Sequence, residues 1–236
     1  MLWKKTWQPE AVLALAGGVV SVFVFSSVAG GLLHRAAVPG FQHDASIGNV
    51  LVATLSFHAT VLAFGAVFLK WHDVHWAELL GLARWRRAVA LALLALLVAA
   101  PVMLALKVTS GLVLEKLGVP IADQEAIELI LAAKNPWLLA YLAFFAVIVA
   151  PLAEEFFFRG LLFSACKKFG WPKAGWAGVS LLFALIHFNL PTFLPLFAFA
   201  LALTWLYETT EGLLAPMVAH ALFNSANLLL LCLVKS

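Results

Sequence analysis

Residues 147–163 read VIVAPLAEEFFFRGLLF. Glu154, Glu155 and Arg159 stand here together, after an uncharged run from Trp137 to Ala153 and before more apolar chain. Ionisable side chains inside an apolar helix are costly, and where they persist they face a protein interior, pair with one another or mark a functional path. The explanation of these three charges decides the reading of the chain.

Apart from its charges, the stretch resembles the rest of the sequence. Of 236 residues, 64% are hydrophobic and 11% charged, against about 25% charged in an ordinary soluble domain. Apolar runs of roughly 17 to 25 residues recur along the chain, the length an α-helix needs to cross about 30 Å of hydrocarbon. The expected fold is therefore all-α, a polytopic transmembrane helix bundle with a polar intramembrane cavity. About seven spans are expected, near 10–33, 47–70, 88–107, 136–158, 174–190, 192–207 and 213–233. One membrane domain over 1–236 accounts for the sequence, with no internal repeat, linker or second domain. The opening MLWKKTWQPE carries the Lys4–Lys5 pair of a signal-peptide n-region, but the apolar run after it is too long and no small-residue cleavage site closes it, so a retained helix is expected. Cys166 and Cys232 match no metal or redox spacing.

Charge distribution gives an orientation. With the N-terminus cytoplasmic, the inner side holds Lys4, Lys5, Lys70, Arg84, Arg86, Arg87, Arg159, Lys167, Lys168 and Lys173, and the outer side Arg35, Lys107, Lys116, Lys134 and Lys235. Acidic Glu115, Asp123, Glu125 and Glu128 join the outer side, and the bias favours N-in, C-out. The inner loop YETTEG at 207–212 is acidic, which contributes little to the rule. The outer segment IADQEAIELILAAK, 121–134, has Ile127, Ile130 and Leu131 at helical spacing and Asp123 as an N-cap candidate. It either covers the lumen of the bundle or connects two spans.

Three further places carry polar groups inside spans: His187 in FALIHF, His220 and Asn224 in HALFN, and His58 on the second helix. Glu155 and Arg159 are four apart and share a helix face, whereas Glu154 is rotated by about 100°. The two glutamates can therefore do different work. His220 and Asn224, also four apart, can line one cavity. Pro151 and Pro216 precede these pairs, and each can kink its helix and free backbone groups that then need partners. Taken singly, Glu155–Arg159 reads equally as a buried clamp, His187 as a hydrogen-bonded packing residue, and His220 with Asn224 as interhelical glue. His58 is read as packing. The conjunction of two carboxylates, two imidazoles, an amide and a guanidinium on three apolar helices points instead to chemistry.

That chemistry is hydrolysis. A carboxylate in an apolar site can act as a base toward water, and a neighbouring imidazole can share that water. A second imidazole and an amide NH₂ suit the developing oxyanion of a carbonyl under attack. The other carboxylate, paired with Arg159, orients and tunes the first.

In order, EEFFFR, FALIH and HALFN resemble the EExxxR, FxxxH and HxxxN motifs of the CPBP family, the CAAX prenyl endopeptidases and bacteriocin-processing enzymes also called Abi proteins. The resemblance covers about 136–233, the expected catalytic core. It implies a glutamic intramembrane endopeptidase in which Glu154 activates water with His187, His220 and Asn224 form the oxyanion site, and Glu155 and Arg159 support them. It also implies a cavity open to the cytosolic side, no metal or other cofactor, and a peptide or protein substrate, membrane-anchored or cut at a C-terminal or leader segment. The lipid bilayer is the other partner and nucleic acid is not one. The expected location is a bacterial inner membrane.

Among rivals, a zinc protease lacks its HExxH here, and Asn224 and Arg159 suit an oxyanion and a carboxylate better than a cation. A rhomboid-type serine protease lacks its GxSG, since Ser110–Gly111 follows Val108 and Thr109. An aspartic protease lacks paired intramembrane aspartates, because Asp44, Asp73 and Asp123 fall in loops. A non-catalytic scaffold, immunity protein or transporter with the same fold is the alternative from another class.

Overall fold

The structure, a computed structural model, describes residues 7–41, 47–121 and 124–235. Among these there is no strand. In chain order the helices are α1 (Pro9–Arg35), α2 (Ile47–Trp71), short α3 (Trp76–Leu80), α4 (Trp85–Lys116), short α5 (Glu125–Ala132), α6 (Pro136–Lys168), α7 (Pro172–Leu185), α8 (Leu190–Thr210) and α9 (Leu214–Lys235). Within these, 6 helices are long and apolar enough to cross a membrane. The chain is an integral membrane protein built as a polytopic α-helical bundle.

The expected fifth span, 174–190, is corrected. α7 has 14 residues, about 21 Å at 1.5 Å per residue, short of a full crossing. It ends where Phe188 takes a left-handed conformation, φ 47, and where Asn189 begins α8 by accepting a hydrogen bond from Thr192 N at 3.1 Å. Proline at the start of α8 fits because its missing N–H falls among groups with no helical partner anyway. His187 thus stands in the turn beyond α7, not on the helix.

Small residues set how closely the helices approach. Ala88 and Ala92 of α4 pack with Ala215 and Ala219 of α9 and with Phe199, Leu203 and Leu206 of α8. This i,i+4 small-residue pattern lets apolar helices meet backbone to backbone. Gly65 does the same for α2: a Cβ there would collide with the Phe156 ring of α6. Phe156, Phe157, Phe158 and Phe163 of α6 form the centre of the core with Phe183 and Tyr207. Outward-facing residues such as Phe25, Leu97 and Val98 are exposed and apolar, as lipid contact requires.

Contacts sort the connections onto two faces. On the first, Lys168 Nζ donates to Trp7 O at 2.6 Å, Leu213 N donates to Leu79 O at 3.1 Å, and Lys167 meets Glu208 at 2.7 Å. On the second, the turn 186–189 shares a groove with Gly30, His34 and Gln124. The basic loops 70–87 and 167–173 lie on the first face. Arg159 does not belong to that set: its side chain is completely buried, so it is no loop charge. Lys107 lies within α4 rather than in a loop. The Lys4–Lys5 pair and the N-cap candidate Asp123 lie outside the described residues, as does Asp44. The residue preceding α5 is Gln124, with no side-chain capping bond.

With the charge bias setting the orientation, single cysteines at Asp73 or Trp171, introduced after replacing Cys166 and Cys232, are expected to react with an impermeant thiol reagent only from the cytoplasm. One at Glu128 is expected to react only from outside. Labelling of position 128 from the cytoplasm would invert the orientation.

Candidate active site

The charged stretch of α6 is not a regular helix. An α-helical segment, Ala150–Glu155, lies between two π-helical ones, Phe145–Val149 and Phe156–Phe163, a distortion frequent at functional sites. At the end of the first, Pro151 leaves one carbonyl without its helical donor. Ala150 N donates five residues back to Phe145 O, and the next donor in that register is position 151, which has no N–H. Ala146 O is thereby left over, and Asn224 Nδ2 donates to it at 2.8 Å. Pro216, by contrast, is the third residue of α9, where a missing N–H breaks no helical bond. The kink expected there has no cause.

Glu155 and Arg159 are both fully buried. Arg159 Nη1 donates to Glu155 Oε1 at 2.9 Å, Nη2 to Ala200 O at 3.0 Å and Nε to Thr204 Oγ1 at 3.4 Å. Its guanidinium lies 4.8 Å from the Phe183 ring centre. The same Glu155 Oε1 receives His220 Nδ1 at 2.9 Å. Glu155 therefore orients His220 directly, rather than Glu154.

Glu154, rotated away, faces a cavity of about 540 Å³. His220 Nε2 lies 3.9 Å from its Oε2, and that oxygen is buried without a hydrogen-bond partner among the described residues. Its Oε1 is 3.1 Å from His58 Nε2. His187 and Asn224 line the same cavity, His187 with its Nδ1 bound to Phe183 O at 2.7 Å. Of the six expected residues, Glu154, His187, His220 and Asn224 line this cavity, and Glu155 and Arg159 stand behind His220 through hydrogen bonds; His187 reaches Glu154 through no hydrogen bond.

His58, which the sequence alone reads as packing, is part of the site. The signal available for it is Thr54, one turn earlier, whose carbonyl accepts from His58 Nδ1 at 2.9 Å. Gly65, two turns further along the same face of α2, makes the contact geometrically possible by letting α2 approach α6.

The cavity walls run from Glu154 toward Leu142, Gln124, Thr192 and Leu231, all toward the second face. A cytosol-open cavity and a cytoplasmic basic face, both expected from sequence, are therefore incompatible. Glu154 sits mid-helix, 18 residues after Pro136 and 14 before Lys168, rather than near the inner end of its span. Among the described residues no cluster of His, Cys, Asp and Glu is placed to hold a metal ion.

Fold and site define a polytopic helical membrane protein with a buried carboxylate–imidazole cluster. Residues 136–226 match the model of the Rce1-like family, type II CAAX prenyl endopeptidase Rce1-like. Over that segment, well under half of the chain, the sequence is similar to this family, in keeping with the CPBP motifs, and the family is one of endopeptidases. No curated protein and no solved structure matches the chain.

Proposed function

We propose that this protein is an intramembrane endopeptidase in which Glu154 takes a proton from water as that water attacks a peptide carbonyl. The observation that carries the reading is Glu154 Oε2: a buried carboxylate oxygen without a partner among the described residues, on a residue that lines a 540 Å³ cavity, with an imidazole nitrogen 3.9 Å away. A base must reach the proton it abstracts; Glu154 lines the cavity, and its Oε2 has no hydrogen-bond partner among the described residues to compete for that proton. His220, held by Glu155 and Arg159, offers Nε2 to the same space. Asn224 spends one amide hydrogen on Ala146 O and has a second for an oxyanion. His187, its Nδ1 donating to Phe183 O, presents Nε2 as an acceptor for the attacking water.

The substrate is a membrane-anchored peptide. Leu104 of α4 and Leu230 and Leu231 of α9 line the cavity, an apolar passage suited to a lipid-embedded segment. A groove of about 730 Å³ on the second face shares His187 and Gln124 with the cavity and suits the polar part of the same chain. The matched family's name makes a prenylated C-terminus one candidate, and leader peptides and C-terminal sorting tails are others. The protein resides in a bacterial inner membrane with the basic face in the cytoplasm, so the cavity receives substrate from the opposite side.

Comparison of membrane proteomes from cells carrying the wild type and Glu154→Ala tests the function. The expected result is one or more terminal cleavage products present only with the wild type. Identical termini in both would remove the proteolytic reading and leave the non-catalytic one.

A further inference from the structure

His58 lies on α2, outside the segment 136–226, and its ring bridges two acceptors. Thr54 O can only accept, so His58 Nδ1, 2.9 Å away, carries a hydrogen. Nε2 lies 3.1 Å from Glu154 Oε1. A neutral ring with its hydrogen on Nδ1 would turn a lone pair toward a carboxylate oxygen, and two acceptors at that distance repel. One proton must lie between them, on Nε2 or on Oε1.

The surroundings hold the ring in this position. Phe57 and Phe145 meet it edge-on, with centroids at 5.2 and 4.8 Å. The Thr54 hydroxyl donates to Val50 O at 2.7 Å and lies 2.7 Å from Tyr141 Oη, fixing the turn that supplies the carbonyl. Other charged or titratable groups facing the pair are His220, 3.9 Å from Oε2, His187 and Lys107 on the cavity wall, and Glu155, itself paired with Arg159. Lys107 is exposed; among the buried groups two carboxylates against one guanidinium leave one negative charge, and a single proton on the His58–Glu154 pair balances it. Uncompensated charge in such a site is costly.

We propose that His58 is a positioning residue of the hydrolytic site: as an imidazolium it donates Nε2–H to Glu154 Oε1, leaving Oε2 as the oxygen that takes the proton from water. This rests on the reading of Glu154 as the base. In the step, the water oxygen bonds to the carbonyl carbon, the carbonyl π pair moves onto its oxygen, and the water proton goes to Oε2. On collapse the C–N bond breaks and that proton passes from Oε2 to the departing nitrogen. His58 keeps both ring hydrogens throughout. The two carboxylate oxygens thus have separate tasks, as their contacts already indicate.

The test is nitrogen-15 NMR of ring-labelled histidines in the full-length protein in lipid nanodiscs, with His58 assigned by loss of its signals in His58→Gln. The expected result is a doubly protonated ring in the wild type that becomes singly protonated, on Nδ1, in Glu154→Gln. A bare Nε2 in the wild type overturns the proposal. In peptide hydrolysis, His58→Gln, whose amide can still donate to Oε1, is expected to keep kcat within about tenfold of wild type, while His58→Leu loses about 10²-fold with KM unchanged. Equal losses in both variants overturn it. The spectroscopic arm needs no substrate, so the two readings fail separately. An inactive wild type with a doubly protonated ring sinks the hydrolase reading alone, and an active wild type with a bare Nε2 sinks the His58 assignment alone.

Discussion

Glu154→Gln is expected to abolish proteolysis while leaving the protein folded. The amide has nearly the shape of the carboxylate, and its NH₂ can donate to His58 Nε2, which lies 3.1 Å from Oε1 in the wild type. The packing of α2 against α6 rests on Gly65 and Phe156 rather than on this pair, so the bundle should survive. What disappears is the basicity of Oε2. Losing a positioned general base costs about 10²–10⁴-fold in rate, enough to bring peptide cleavage below detection in an ordinary assay. The loss should appear in kcat, with KM near its wild-type value, because the cavity walls are untouched. Near-normal turnover by this variant, with a verified substrate in detergent, would end the assignment of Glu154 as base.

Arg159→Ala is expected to cost both stability and activity, in contrast to Asn224→Ala. Arg159 is the only permanent cation hydrogen-bonded to Glu155 among the described residues, and it also serves Ala200 O and Thr204 Oγ1. Removing it leaves a fully buried carboxylate unpaired, at a cost of about 3–5 kcal/mol. His220 loses its orientation with it, because Glu155 Oε1 holds both groups. Arg159→Lys should rescue little, since one ammonium cannot reach three acceptors in the fixed geometry of the guanidinium. Asn224→Ala removes a neutral donor at the rim of the cavity. Losing one oxyanion donor costs about 10²–10³-fold in turnover, and the melting temperature should fall less than in Arg159→Ala, by no more than the loss of the one bond to Ala146 O. Unfolding of Asn224→Ala in proportion to its lost activity would mean that its bond to Ala146 O is its whole role. In a non-catalytic scaffold, both variants would support the biological role for as long as they stayed folded.

The fold class was legible because lipid imposes one solution on long apolar runs: every backbone group must be satisfied inside its own helix. Four of the six expected residues could be paired from sequence, because motif spacing on α6 and α9 places Glu155 over Arg159 and His220 over Asn224 before any tertiary contact is known. The errors at Arg159 and His58 share one cause, which is that they depend on what a residue meets across the bundle. Arg159 looked like an inner loop charge because nothing local says that α8 supplies Ala200 O and Thr204 to it. His58 looked like packing because its partner lies 96 positions away, and only the backbone approach at Gly65 brings the two together. The length of α7 was within reach: Asn189 followed by Leu190 and Pro191 is a helix-start signal, and the apolarity of FALIHF masked it. The side on which the cavity opens was not within reach, since it depends on which residues line the space beyond Glu154.

The most direct test of the central claim, that a carboxylate and not a metal ion activates the water, is peptide hydrolysis by the purified protein after exhaustive treatment with EDTA and phenanthroline. Activation by Glu154, with His220 and His187 on the same cavity, predicts turnover equal to that of the untreated protein. Loss of turnover, restored stoichiometrically by Zn²⁺, would contradict it and assign Glu154, His187 and His220 to a metal site.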